Sequence, residues 1–101
     1  MSGILHQVLG AGTNSLADCL AFFNDGDEIL LIDAGVELLA DEVALRSLLE
    51  QKSTANQVCA ICEDVVARNL TLQAQENNID LIRDSEWVEH VLCYSHILSW
   101  K

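Results

Sequence analysis

The sequence predicts an α/β domain: a small doubly wound, flavodoxin-like, mostly parallel sheet of four or five strands with helices on both faces. Three observations lead there. Short apolar runs that suit buried strands alternate with stretches carrying helical apolar stripes. The runs are apolar at successive positions, as a sheet covered on both sides requires. No proline, internal repeat or low-complexity tract breaks the alternation. Alternating strands and helices build βαβ units with right-handed crossovers and parallel strands. At 101 residues the chain is read as a single domain, 1–101, large enough for a core.

Each element follows from its residues. Ile4-Leu-His-Gln-Val-Leu9 reads as the first strand and Gly10-Ala-Gly-Thr-Asn14 as a turn, with Asn14 or Ser15 placed to cap the next helix. Leu16, Cys19, Leu20 and Phe23 form one helical stripe, which Asn24-Asp-Gly-Asp27 ends with turn chemistry. Glu28-Ile-Leu-Leu-Ile-Asp33 is the second strand, and Ala34 to Leu39 an irregular or helical turn. From Asp41, the residues Ala44, Leu45, Leu48 and Leu49 make another stripe, and Lys52 to Asn56 is a loop. Val58 to Cys62 is the third strand, followed by a short helix to about Asn69 with Glu63 and Asp64 in its first turn. Thr71 to Asn78 reads as a polar loop and Ile79 to Ile82 as the fourth strand. Asp84 or Ser85 caps the last helix, with Val88, Val91 and Leu92 as its inner stripe. The apolar tail Ile97 to Trp100 adds an edge strand or docks on a partner.

Composition narrows the function. Five Lys and Arg against 16 Asp and Glu give a formal charge of −11. Nucleic acids and anionic membranes call for clustered positive charge, so direct binding of either is not expected, whereas a basic partner would be steered in. No apolar run reaches the roughly 20 residues that span a bilayer, and no signal peptide is visible. The expected compartment is the cytoplasm. There, four cysteines do not form a disulfide framework by default. Cys59 and Cys62 have redox-motif spacing, but they fall in or at the end of one strand, where residues three apart point to opposite faces. No second ligand pair at zinc spacing is present, so no metal is expected. Gly10-Ala-Gly-Thr-Asn14 is not GxGxxG and has no phosphate-loop lysine, so no nucleotide or other cofactor is expected.

Cys62 marks the place where a buried strand hands over to a helix. In open parallel sheets that carboxyl edge is where ligands and chemistry collect. A helix start favours thiolate, while Glu63 and Asp64 oppose it. In a flavodoxin-like strand order, strands one and three are neighbours, and the Gly10–Asn14 turn would face Cys62 across one crevice. Cys19 lies in the first helical stripe, Cys59 is a mid-strand core residue, and Cys93 shares a solvated face with Glu86, Glu89 and His90. His6 is read as a hydrogen-bonded buried or interface group, and His90 and His96 as surface groups. Trp87, Tyr94 and Trp100 are core residues or interface anchors.

The chain resembles the TusB/DsrH family of sulfur-relay proteins, within the wider DsrE/DsrF/DsrH-like group. The likeness runs through Leu5-His6, Asn14-Ser-Leu-Ala-Asp-Cys-Leu-Ala-Phe22, Glu28-Ile-Leu-Leu-Ile-Asp-Ala-Gly-Val36, Glu63-Asp-Val-Val-Ala-Arg68 and the tail ending at Trp100. Asn69 stands where the family usually has Gly. The resemblance implies a subunit of a heterohexamer with sister subunits, TusC/TusD-like or DsrE/DsrF-like, and self-association when alone. A TusBCD-like complex passes persulfide sulfur towards 2-thiolation of tRNA wobble uridine, and a DsrEFH-like complex serves dissimilatory sulfur oxidation. The main sulfur-carrying cysteine of the system belongs to a sister subunit, in the loop after its third strand, and Cys62 lies within about one position of that place. Cys19 matches the first-helix cysteine of DsrH-type members. Cys62 and Cys19 are therefore the candidate persulfide carriers. The expected chain is a non-catalytic or sulfur-carrier subunit rather than a stand-alone enzyme. Two alternatives stay open: a stand-alone cysteine persulfide carrier or thiol enzyme, and a regulatory binding domain without sulfur chemistry.

Overall fold

A computed structural model describes residues 3–51 and 57–101, and of Thr13 the backbone only. The strands are β1 (Ile4–Val8), β2 (Glu28–Leu31), β3 (Gln57–Ile61), β4 (Asp80–Ile82) and β5 (His96–Trp100). The helices are α1 (Thr13–Ala21), α2 (Glu42–Gln51), α3 (Cys62–Ala67), α4 (Thr71–Glu76) and α5 (Asp84–Leu92), with a 3₁₀ helix over Asp33–Ala40. The strands form one sheet in the order β4-β3-β2-β1-β5, and every pair is parallel. The predicted class therefore holds, with the tail as the fifth strand.

Register divides the side chains between two layers. Leu5 pairs with Glu28, Leu30 with Cys59, and Ile61 with Ile82, so these share one face. His6 pairs with Ile29, Val8 with Leu31, and Ile29 with Val58, so these share the other. The second face carries the larger core: Val8, Ile29, Leu31, Val58 and Ala60 are buried against residues of α1, the 3₁₀ helix, α2, α3 and α4. The first face has the smaller cluster of Leu5, Leu30, Cys59 and Ile61, packed by Trp87 and Val91 of α5 and by Tyr94 just beyond it. The asymmetry follows from topology. Connections from β1 to β4 step across the sheet in one direction, and the β4-to-β5 connection returns past all of them. Right-handed crossovers then place α5 alone on the opposite side.

Several expectations change. The strand order places β2 between β1 and β3. The turn after β1 and Cys62 therefore stand two strand spacings apart, about 10 Å, and do not face each other across one crevice. Gly10 instead abuts the end of β5, where an added Cβ would lie 2.9 Å from the Lys101 carbonyl carbon. Helix α4 replaces the predicted polar loop. Only Leu70 and Ala74, one turn apart, pin it to the core, which is too short a stripe to read against Gln73, Gln75 and Glu76. Neither Asn14 nor Ser15 caps α1: the cap position is Gly12, without a side-chain hydrogen bond. Neither Asp84 nor Ser85 caps α5: the cap position is Arg83, whose N–H is accepted by the Glu86 carboxylate at 2.9 Å. The inner stripe of α5 is Trp87 and Val91, while Val88 and Leu92 are 61% and 77% exposed. The loop predicted for Lys52 to Asn56 lies outside the described residues.

Candidate functional site

Cys62 is the first residue of α3, directly after β3, and is half-buried. Ile61 before it is still extended, so the chain turns from strand to helix at the thiol itself. The acidic residues that follow fasten the neighbouring strand exits. Asp64 accepts the Asp33 backbone N–H at 2.7 Å, and Asp33 takes a left-handed conformation with φ 55° at the end of β2. Glu63 accepts the Asp84 N–H at 3.1 Å, at the start of α5. Arg68 donates from Nε to Glu37 at 3.0 Å and from Nη2 to Asp33 at 3.4 Å. The carboxyl edge around Cys62 is thus tied across β2, β3 and β4 by the motif Glu63-Asp-Val-Val-Ala-Arg68. Lost solvation and then the neighbouring Glu63 and Asp64 raise the Asp84 carboxyl above its ordinary value.

All four cysteines are free. Cys19 has no exposed surface, and burial followed by the Asp27 charge pushes its thiol up to about 12. Cys93 is exposed at the end of α5, as expected. Cys59 is buried in β3, also as expected, but it is not surrounded by apolar groups alone. Its Sγ lies 2.6 Å from Oε2 of Glu28.

That contact belongs to a cluster unforeseen from the sequence. Glu28 is 1% exposed on the α5 side of the sheet. Its carboxylate also meets the His90 imidazole and the Tyr94 hydroxyl through short hydrogen bonds. His90 is therefore half-buried and turned inward rather than a surface group, and Tyr94 packs against the sheet. Two signals were present: a carboxylate heading an otherwise apolar strand, and His90 and Tyr94 spaced one turn apart.

His6 anchors the opposite face. Its Nδ1 accepts the indole N–H of Trp100 at 3.1 Å, so Nε2 carries the ring proton and donates to Asp27 Oδ2 at 2.8 Å. Burial pushes the Asp27 carboxyl up, but hydrogen bonds from His6 and from the Ile4 and Asn24 N–H groups outweigh it and hold the carboxyl below its ordinary value.

Chemically, the cysteines divide into two sealed thiols and two with surface. Nucleophilic sulfur transfer needs a thiolate that can meet a donor. Of the two accessible thiols, Cys62 alone sits on the carboxyl edge of the sheet. Among the described residues no helix is long and apolar enough to cross a membrane.

Comparison with known proteins places the chain. The sequence matches the family model of DsrH-like proteins over residues 11–97. No curated protein matches it. A solved structure, that of a conserved protein of unknown function from Bacteroides thetaiotaomicron, superposes with a TM-score of 0.69 at 15% identity, over 95% of this chain and 93% of that one. That likeness shows the shared fold. With the family match spanning most of its length, the chain belongs to the DsrH-like family of sulfur-relay proteins, whose members act with sister subunits.

Proposed function

We propose that this chain is a cytoplasmic subunit of a TusBCD-like heterohexamer that moves persulfide sulfur towards 2-thiolation of tRNA wobble uridine. One observation carries the choice of branch. Cys19, at the first-helix position of DsrH-type cysteines, is sealed in the core with its thiol raised to about 12. A first-helix carrier is therefore disfavoured, and Cys62, half-buried at the carboxyl edge, is the carrier within this chain. Its thiolate attacks the outer sulfur of a donor persulfide. A Cys62 S–S bond forms, the donor's S–S bond breaks, and the donor leaves as thiolate. The formal charge of −11 favours transfer between proteins over direct contact with tRNA.

The test is tRNA 2-thiouridine, measured by mass spectrometry of nucleosides in cells that lack the chain. Loss of the modification on deletion, and its restoration by the wild-type chain, is expected. Unchanged 2-thiouridine combined with a fall in sulfur oxidation would assign the chain to the DsrEFH-like role instead.

A further inference from the structure

Beneath α5, three elements bring a soft sulfur, an imidazole nitrogen and a carboxylate oxygen together. Glu28 comes from β2, Cys59 from β3 and His90 from α5, and their donor atoms all lie within 4.8 Å of one another. Cys59 Sγ and His90 Nε2 are 3.9 Å apart, and both contact the same Glu28 oxygen. Burying a carboxylate beside two further titratable groups is costly unless hydrogen bonds or a cation compensate it. The mixture of S, N and O donors is the ligand chemistry of zinc.

We propose that Glu28, Cys59 and His90 form a binding site for a zinc-type divalent cation, with the Tyr94 hydroxyl orienting the carboxylate. Around a tetrahedral ion with bonds of about 2.0–2.3 Å, ligand atoms stand about 3.3–3.7 Å apart. The Sγ–Nε2 separation of 3.9 Å is already near that span. The thiol directs its proton at the Glu28 carboxylate, with Sγ 2.6 Å from Oε2. When the cation binds, the S–H bond breaks and its proton leaves to solvent, the His90 ring proton passes from Nε2 to Nδ1 through solvent exchange, sulfur–metal and nitrogen–metal bonds form, and no atom changes oxidation state. The Glu28 oxygen then moves away from both Cys59 Sγ and His90 Nε2 by about 1 Å, which rotation of the Glu28 side chain supplies. Tyr94 bonds Oε1 of the same carboxylate, as an outer partner that orients a metal ligand. The His90 side chain is 25% exposed and offers the way in. Leu30 and Ile61 beneath, with Trp87 and Val91 alongside, form the apolar surround. Three protein ligands leave the fourth position to water. The bound ion would staple α5 to β2 and β3, on the face where α5 is the cover.

Titration of the chelator-treated full chain with cobalt(II), and separately with zinc, tests the site. One equivalent is expected, with a thiolate-to-cobalt charge-transfer band in the near ultraviolet. Cys59→Ser should abolish the band. His90→Gln should weaken cobalt affinity by about tenfold or more, and it serves as the reading if Cys59→Ser does not fold, because the His90 side chain keeps solvent exposure that the buried Cys59 lacks. Cys93→Ser should leave the band unchanged. Absence of a band in the wild-type chain, or a band indifferent to His90→Gln and to a folded Cys59→Ser, overturns the site.

Discussion

His6 and Trp100, the first strand's histidine and the tail's last aromatic, are joined by an indole N–H donated to Nδ1 at 3.1 Å, with their rings stacked 6.1 Å apart. The bond closes the sheet. β5 pairs with β1 along its whole length, yet its residues are otherwise largely exposed. Removing the donor leaves a buried ring nitrogen without its partner, at a cost of about 1–3 kcal/mol. Trp100→Phe should therefore lower the unfolding free energy by that amount, seen as a lower urea midpoint with little change in the slope of the transition.

The same histidine holds Asp27, and the sign of the resulting pH dependence is fixed. The folded Asp27 carboxyl titrates below its unfolded value of about 3.9. Its contribution is present above that unfolded value and is lost as pH falls through the folded one. Stability measured against pH should fall on this acid limb in the wild-type chain. Asp27→Asn should be less stable at neutral pH and show a shallower acid limb.

Backbone crowding gives a sharper test of packing. Gly35 lies in the 3₁₀ helix after β2, and a Cβ there would stand 1.9 Å from the Val8 carbonyl oxygen. No flexible side chain can yield, because the neighbour is backbone. Gly35→Ala should cost at least the roughly 1–3 kcal/mol of an overpacked core, read as a lowered melting temperature.

Helix α5 separates the sequence reading from the structure. Helical spacing predicts both Val88 and Val91 on its inner face, but Val91 packs against the cluster of Leu30 and Cys59 while Val88 is 61% exposed. Val91→Ala should cost roughly 1–2 kcal/mol, and Val88→Ala should stay within about 0.5 kcal/mol of wild type in the same denaturation assay.

That difference has a physical cause, as do the other limits of the sequence. The strands β2 and β3 are legible because the apolar runs Ile29 to Ile32 and Val58 to Cys62 are continuous, and the parallel class follows from their alternation with helical stripes. Strand order is not legible, since neither β1 nor β3 carries a mark saying whether β2 lies between them. On α5, apolar residues occupy two faces, so periodicity alone does not choose the buried one. The Cys62 junction is legible because strand end and helix start adjoin in the chain. The Glu28 cluster is not, because Glu28 meets Cys59 across 31 residues and His90 across 62. Only the parallel register of β2 with β3 and the return of α5 over them bring the three together.

Sulfur transfer is most directly tested on the protein itself. The chain, co-purified with its sister subunits, is supplied with sulfane sulfur by a cysteine desulfurase system, and its peptides are weighed before and after thiol reduction. One reducible added sulfur on the Cys62 peptide is expected, retained in Cys19→Ser and lost in Cys62→Ser. Sulfur on no cysteine of this chain, or uptake unaltered by Cys62→Ser, would contradict passage of sulfur through Cys62.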